Sequence, residues 1–155
     1  MNIIKSDIVP DSQDIFWEDK NLHSDGNIKK PVLVLVTDCS EGSPEELLLM
    51  KMLGPGASNL NPNQYNILKL KDGEKIAWHQ LRESYDPKVI LMSGVSTGQL
   101  GISAIFNLNI PNRFSECIWI PTVMLTELNQ NAEVKKQLWN NGMKPVFADK
   151  NFGEI

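Results

Sequence analysis

The chain has 155 residues, which is the length of one domain with a single hydrophobic core. Its formal charge of −4 and its short lysine pairs argue against a general polyanion-binding surface such as a nucleic-acid groove. We find no apolar run near the ~20 residues that span a bilayer and no apolar core of a signal peptide, so we expect a cytoplasmic protein.

Residues 1–29 are polar and acidic and have no sustained hydrophobic period, and we interpret them as an N-terminal arm. One apolar triplet, Ile15, Phe16 and Trp17, interrupts this arm. The triplet either packs back on the domain or is a short linear motif that docks into a partner's groove. Residues 30–155 are then expected to form a single α/β domain.

The first β–α unit of this domain has clear signals. Residues 32–37 are an unbroken aliphatic run and predict the central strand of a sheet. After a polar loop, Ser43, Pro44 and Glu46 predict a helix start, with Ser as N-cap, Pro at the first position and Glu closing a capping box. The helix is predicted over 44–53, where a Gly-Pro-Gly sequence ends it.

Two further units repeat this pattern. Strands are predicted over 65–70 and 89–92, because both runs have the apolar content and the length of strands. Helices are predicted over 74–84 and 97–106. The connection over 107–114 is rich in turn residues and fits a short hairpin.

The last predicted strand, over 117–120, is a short apolar run that Pro121 ends. Asn131 can cap the amphipathic helix that follows by accepting from a free N–H group of the first turn, and Gly142 is expected as the left-handed C-cap. Strands that alternate with helices in this way predict a four-stranded parallel sheet with helices on both faces. The expected fold is a three-layer α/β/α domain.

Parallel sheets bind ligands beyond the carboxyl ends of their strands, and here Asp38, Ser93 and Thr122 are expected at that edge. Cys39 and Cys117 are expected at opposite ends of the sheet, too far apart for a disulfide, and hence as reduced thiols. No spacing of cysteine, histidine and carboxylate residues indicates a metal site, and we expect no cofactor.

The stretch after the last strand carries a family signal. It reads Leu125-Thr126-Glu127-Leu128, then Asn131, then Leu138-Trp139. This order resembles the last part of the psi-subunit family of the bacterial DNA polymerase III clamp-loader complex, whose members have the fold of uracil-DNA glycosylases without their chemistry. Small-family glycosylases carry a His-Pro-Ser motif at this place, and alignment on Asn131 and Trp139 puts Met124 at the position of the histidine.

The resemblance covers roughly residues 31–141 and implies the strand order 2-1-3-4 of the glycosylase fold. It implies a non-catalytic subunit that binds a chi-like accessory protein on the domain surface. It also implies contact between the N-terminal arm, near Ile15, Phe16 and Trp17, and a clamp-loader ATPase subunit. The degenerate pocket would comprise Asp38, Ser93, Thr122 and Met124.

Two other interpretations remain open. The first is an active or relic uracil-DNA glycosylase, or a small-ligand enzyme that uses the same loops. Asp38 could orient a water, but Met124 cannot donate a hydrogen bond to a departing uracil anion, and a missing donor costs a factor of ~10²–10³ or more in rate. The second is a relative of this fold with a partner of its own.

Overall fold

The structure is a computed structural model that describes residues 29–37 and 39–153. The arm triplet, Ile15, Phe16 and Trp17, and the pocket position Asp38 lie outside the described residues. Among the residues described, no helix combines the length and the apolar character needed to cross a bilayer.

A five-stranded, mostly parallel sheet lies at the centre of the described chain. Its strands are Val32–Thr37 (β1), Tyr65–Leu70 (β2), Val89–Ser93 (β3), Asn112–Phe114 (β4) and Cys117–Thr122 (β5). They lie in the order β2-β1-β3-β5-β4, and β4 is antiparallel to β5. The four parallel strands have the expected order, but the predicted number of strands was one too low. The hairpin connection adds β4 at the edge of the sheet.

Helices lie between the strands and after the last one. They are Pro44–Leu53 (α1), Trp78–Tyr85 (α2), Leu125–Gln130 (α3) and Ala132–Gln137 (α4), the last of which continues without a break as a π-helix, Leu138–Ala148. Short 3-10 helices cover Pro62–Gln64 and Thr97–Leu100.

The two faces of the sheet bury separate hydrophobic clusters. Val32, Val34 and Val36 point to one face, where they pack with residues of α1, α3 and the π-helix. Leu33 and Leu35 point to the other face, where they pack with residues of α2 and with the loop after β3. Because alternate residues of a strand face opposite ways, burial on both faces explains why β1 is apolar throughout.

The start of α1 follows the prediction with one difference. Ser43 Oγ accepts from the backbone N–H of Glu46 at 3.2 Å, as an N-cap does. The Glu46 carboxylate, however, accepts from the N–H of Gly42 at 2.8 Å, one residue before the partner that a capping box would use. Its second oxygen accepts from Lys69 Nζ at 2.9 Å. Glu46 therefore connects the start of α1 to β2.

Two predicted helices are shorter than expected. The helix predicted over 97–106 is only a 3-10 turn, because Gly101 adopts a left-handed conformation with φ of 71° and stops it after Leu100. The helix predicted from residue 74 begins at Trp78 instead. The residues expected to form its first turn are instead bonded to Gln99. The side-chain amide of Gln99 donates to the carbonyl of Glu74, and the carbonyl of Gln99 accepts from the N–H of Ile76.

The end of the chain departs from the prediction at Pro121 and Gly142. Pro121 lies inside β5, with its carbonyl accepting from Asn109 N at 2.8 Å on the side away from β3. The N and O atoms of a strand residue point the same way, so the missing N–H costs no bond to β3.

Gly142 is not a C-cap, since the helix passes through it; a Cβ there would lie 3.0 Å from Asn109 O. Its small size permits a close approach of helix and loop.

The β4–β5 hairpin turns through Ser115 and Glu116, both of which have left-handed backbones, with φ of 54° and 63°. Two bonds from α2 hold this turn: Ser115 Oγ accepts from Trp78 Nε1 at 3.2 Å and from Arg82 Nη1 at 2.9 Å. Arg82 also pairs with the carboxylate of Glu116 at 3.1 Å. Contacts with α2 therefore stabilise a left-handed backbone that asparagine and glycine adopt more readily than serine or glutamate.

Candidate functional site

At the carboxyl ends of the strands, the hydroxyl groups expected to line a pocket bond to other atoms of the same domain. Ser93 and Thr122 lie on neighbouring strands in paired register, and both are buried. Ser93 Oγ donates to the carbonyl of Val123 at 2.8 Å. The backbone N–H of Gly94 donates to the carbonyl of Thr122 at 3.2 Å. These bonds connect the end of β3 to the end of β5.

Met124 covers the turn that follows β3. Gly94 has φ of 74°, and a Cβ placed on it would lie 2.7 Å from Met124 Cγ. The side chain of Met124 therefore lies against the glycine that follows β3. The structure thus brings together three of the four predicted pocket residues, Ser93, Thr122 and Met124, and does not describe Asp38.

The hydroxyl groups at this edge serve the backbone and the neighbouring loop. Thr122 Oγ1 lies 2.7 Å from Asn109 Oδ1, and Thr37 Oγ1 donates to the carbonyl of Gly94 at 3.3 Å. Ser93, Thr122 and Met124 carry neither a carboxylate nor an imidazole, the usual groups for proton transfer. In the described part of the chain, no three His, Cys, Asp or Glu side chains are placed to hold a metal ion.

The two thiols are buried and unpaired, as expected. Burial raises the pKa of Cys39, with the ammonium of Lys69 opposing it. Burial also raises the pKa of Cys117, whose Sγ donates to the carbonyl of Pro87 at 3.2 Å. A raised pKa disfavours the thiolate, so neither cysteine has the properties of a catalytic nucleophile.

An exposed apolar loop lies beside this edge of the sheet, and sequence reasoning missed it. Three of its side chains extend into solvent: Ile105 is 92% exposed, Leu108 55% and Ile110 37%. We call residues 105–110 the apolar loop. Its signal in the sequence is three aliphatic residues within a connection that is otherwise rich in asparagine.

The apolar loop is firmly anchored. The ring of Phe106 lies 5.3 Å from the ring of the fully buried Trp119. The side chain of Asn112 accepts from the N–H of Asn107 and donates to its carbonyl, at 3.0 and 2.9 Å. Asn109, with a left-handed backbone, donates to Pro121 O. The exposure of its aliphatic side chains is therefore a property of a well-bonded loop.

A second apolar surface lies between α1 and the helix formed by α4 and the π-helix. It is a groove of about 760 Å³, which we call the α1 groove. Its lining is mostly apolar and comprises Pro44, Leu47, Leu48, Lys51, Met52, Pro55, Gly56, Ala57, Asn129, Lys135, Leu138, Trp139 and Met143. Leu47 on its rim is 63% exposed.

The sequence identified α1 as a helix rich in leucine and methionine but did not show which of its faces stays uncovered. Leu48 and Met52 are buried against the sheet, whereas Leu47 and Met50 remain exposed. An apolar residue on every side of a helix is a signal of such a second contact surface.

The described chain therefore offers two apolar surfaces, the apolar loop and the α1 groove, and a carboxyl edge whose hydroxyl groups are bonded within the domain. Comparisons of the chain with protein families, with curated proteins and with solved structures found no match.

Proposed function

We propose that the chain is a non-catalytic, cytoplasmic protein-binding subunit of the psi type, with a degenerate, three-layer uracil-DNA glycosylase-like fold, in a DNA polymerase III clamp-loader complex. The order of residues from Leu125 to Trp139 and the methionine at the histidine position support this assignment. The order of the four parallel strands is compatible with it.

The observation that carries the proposal is how the residues at the carboxyl edge of the sheet are engaged within the domain. Met124 lies against Gly94, and the hydroxyls of Ser93 and Thr122 are engaged by main-chain and loop atoms of the same domain. A base-flipping enzyme needs an open pocket here that stacks and hydrogen-bonds an extruded base. An edge engaged in this way favours a binding role over glycosylase chemistry.

The apolar loop is the domain surface that we assign to the chi-like partner. Aliphatic side chains held in solvent by a bonded loop are typical of a preorganised interface, since little conformational entropy is lost when a partner covers them. The arm triplet, Ile15, Phe16 and Trp17, is the assigned contact for the clamp-loader ATPase subunit. The two partners would then bind separate parts of the chain.

The test is affinity purification of the tagged protein from its own cells, with mass-spectrometric identification of the bound proteins. We expect chi-like and clamp-loader subunits. The variant Phe16→Ala/Trp17→Ala should lose the clamp-loader subunit alone, and Ile105→Ser/Leu108→Ser should lose the chi-like subunit alone. Lys71→Ser, a substitution at an exposed position outside the apolar loop and the arm triplet in sequence, is the control.

Recovery of neither subunit by the unaltered protein at micromolar concentration would contradict the proposal. A uracil-DNA cleavage assay on the same preparation then tests the glycosylase alternative. We expect no cleavage.

A further inference from the structure

The α1 groove has an opening that the described chain leaves uncovered. Leu47 lies on the rim with 63% of its surface exposed, while Leu48 and Met52 form the floor and are buried. Trp139 lines the groove from the opposite helix. A groove of about 760 Å³ between two helices has room for one or two bulky apolar side chains.

The charge at the groove is positive. Among its lining residues, the ionisable ones are Lys51 and Lys135, one on each helix. Within the described chain neither lysine forms an ion pair. The groove therefore suits a segment that combines apolar side chains with carboxylates.

The N-terminal segment of this chain has that composition. Residues 1–28 contain six Asp and Glu residues against two lysines, so they hold the whole formal charge of −4, and residues 29–155 balance to zero. Its apolar triplet is flanked directly by carboxylates, in the sequence Asp14-Ile15-Phe16-Trp17-Glu18-Asp19. The acidic segment thus complements the two lysines in charge and the groove in apolar character.

The described chain begins beside the connection that leaves α1. Lys30 Nζ donates to the carbonyls of Pro62 and Tyr65, at 3.1 and 3.3 Å, in the connection that leaves α1. Pro55, at the start of that connection, lines the groove. Eleven residues lie between Trp17 and Lys29, and the twelve Cα–Cα steps can extend over about 40 Å. The ten residues of α1 measure about 15 Å. The tether is long enough for the triplet to reach the groove.

From the groove, its charge and the tether, we propose that the α1 groove binds the acidic N-terminal segment of the same chain, with Phe16 and Trp17 between α1 and the π-helix. The segment then has two alternative contacts, the groove and its clamp-loader partner. Binding of a partner to the triplet must release it from the groove. The inference concerns the isolated protein and does not depend on which partner the segment binds.

The test measures how fast a thiol introduced at the groove reacts with N-ethylmaleimide in the full-length protein. Leu47→Cys places the thiol on the groove rim, and Ile105→Cys places a control thiol on an exposed residue of the apolar loop that does not line the groove. The native Cys39 and Cys117 are each 5% exposed and contribute a slow background. Each variant is compared with and without Phe16→Ala/Trp17→Ala.

We expect the rim thiol to react about tenfold more slowly when Phe16 and Trp17 are present. With an intrinsic dissociation constant of ~100 µM and an effective concentration near 1 mM, the segment would leave the groove open about a tenth of the time. The control thiol should react equally fast in both backgrounds. Because Leu47 itself contributes to the groove, Ala57→Cys on the groove wall provides a second rim thiol with Leu47 in place.

Equal reaction rates with and without the triplet, at both rim positions, would overturn the proposal. Protection that increases with protein concentration would also overturn it, since the occupant would then be the segment of a second copy. Failure to recover clamp-loader subunits would refute the proposed function and leave these rates unaffected.

Discussion

Gly94 and Met124 meet at the carboxyl edge of the sheet, where a Cβ on the glycine would lie 2.7 Å from Cγ of the methionine. The turn after β3 and the turn after β5 are therefore packed together at a position that only glycine fits. This contact packs the end of β3 against the end of β5.

Gly94→Ala should destabilise the protein by about 2–4 kcal/mol, because it adds left-handed backbone strain to a steric overlap. Met124→Ala removes the overlap and leaves the strain. In a double-mutant cycle measured by chemical denaturation, Met124→Ala should therefore recover roughly 1–2 kcal/mol of the loss. Additive free energies would show that the two residues do not interact.

A histidine at position 124 should not give the protein glycosylase activity. Met124→His supplies a hydrogen-bond donor, but the hydroxyls of Ser93 and Thr122 stay bonded within the domain. We expect no cleavage of uracil-containing DNA above the level of the unaltered protein. Measurable cleavage by this variant would favour the glycosylase alternative.

The hydroxyl of Ser93 should matter for stability. Ser93→Ala removes the donor to the carbonyl of Val123, and we expect a loss of about 1–2 kcal/mol in the free energy of unfolding. Ser103→Ala removes a hydroxyl from an exposed position and is the control. Equal stability of both variants would mean that the bond between the ends of β3 and β5 contributes nothing.

A larger residue in place of Gly142 should destabilise the protein. A Cβ there would lie 3.0 Å from Asn109 O and 3.1 Å from a methyl group of Ile120, so Gly142→Ala should cost about 1–2 kcal/mol. Gly98→Ala is the matched control, since its nearest neighbour would be Ser96 Oγ at 3.8 Å. Thermal or chemical unfolding of the two variants gives the comparison. A cost at Gly98 as large as that at Gly142 would contradict the close-approach argument.

Glu46 should make the free energy of unfolding depend on pH. The N–H of Gly42, and next the ammonium of Lys69, lower the pKa of its carboxyl below 4.5. A carboxyl with a lowered folded-state pKa stabilises the fold above its unfolded pKa, and this contribution is lost as the pH falls through the folded value. Denaturation midpoints of Glu46→Gln should therefore change less than those of the unaltered protein when the pH falls from about 5 to about 2.

Glu45→Gln removes a carboxylate from the same helical turn and controls for the change in net charge. If both variants have the same dependence on pH, the bonds of Glu46 to Gly42 and Lys69 do not carry the effect.

The central strands could be predicted because burial on both faces leaves an unbroken apolar run, as in Val32–Thr37. The start of α1 could be predicted because its cap depends on residues adjacent in sequence. Strand β4 could not be found as a strand: Asn112–Phe114 has no apolar alternation and is held by its pairing with β5. Gly142 was misassigned because glycine marks both helix ends and close contacts, which local sequence cannot distinguish.

For the candidate site, the sequence indicated which residues lie at the edge of the sheet but not how they pack there. The sequence placed Ser93 and Thr122 at one edge, because parallel strands end together, whereas Met124 was added to the pocket by the family resemblance. That Met124 would fill the space beside Gly94 depends on how two turns pack, which neither turn specifies alone. The exposed apolar surfaces also depend on tertiary packing, since Leu47 and Leu48 are chemically identical and differ only in what covers them.

The β4–β5 hairpin also bears on aggregation. β5 includes the apolar run Cys117-Ile118-Trp119-Ile120, and β4 pairs with it along the side away from β3. If the turn at Ser115 and Glu116 opened, that run would become an edge strand able to pair with other chains. The contacts that Trp78 and Arg82 make to the turn would then protect the protein from self-association as well as shape its backbone.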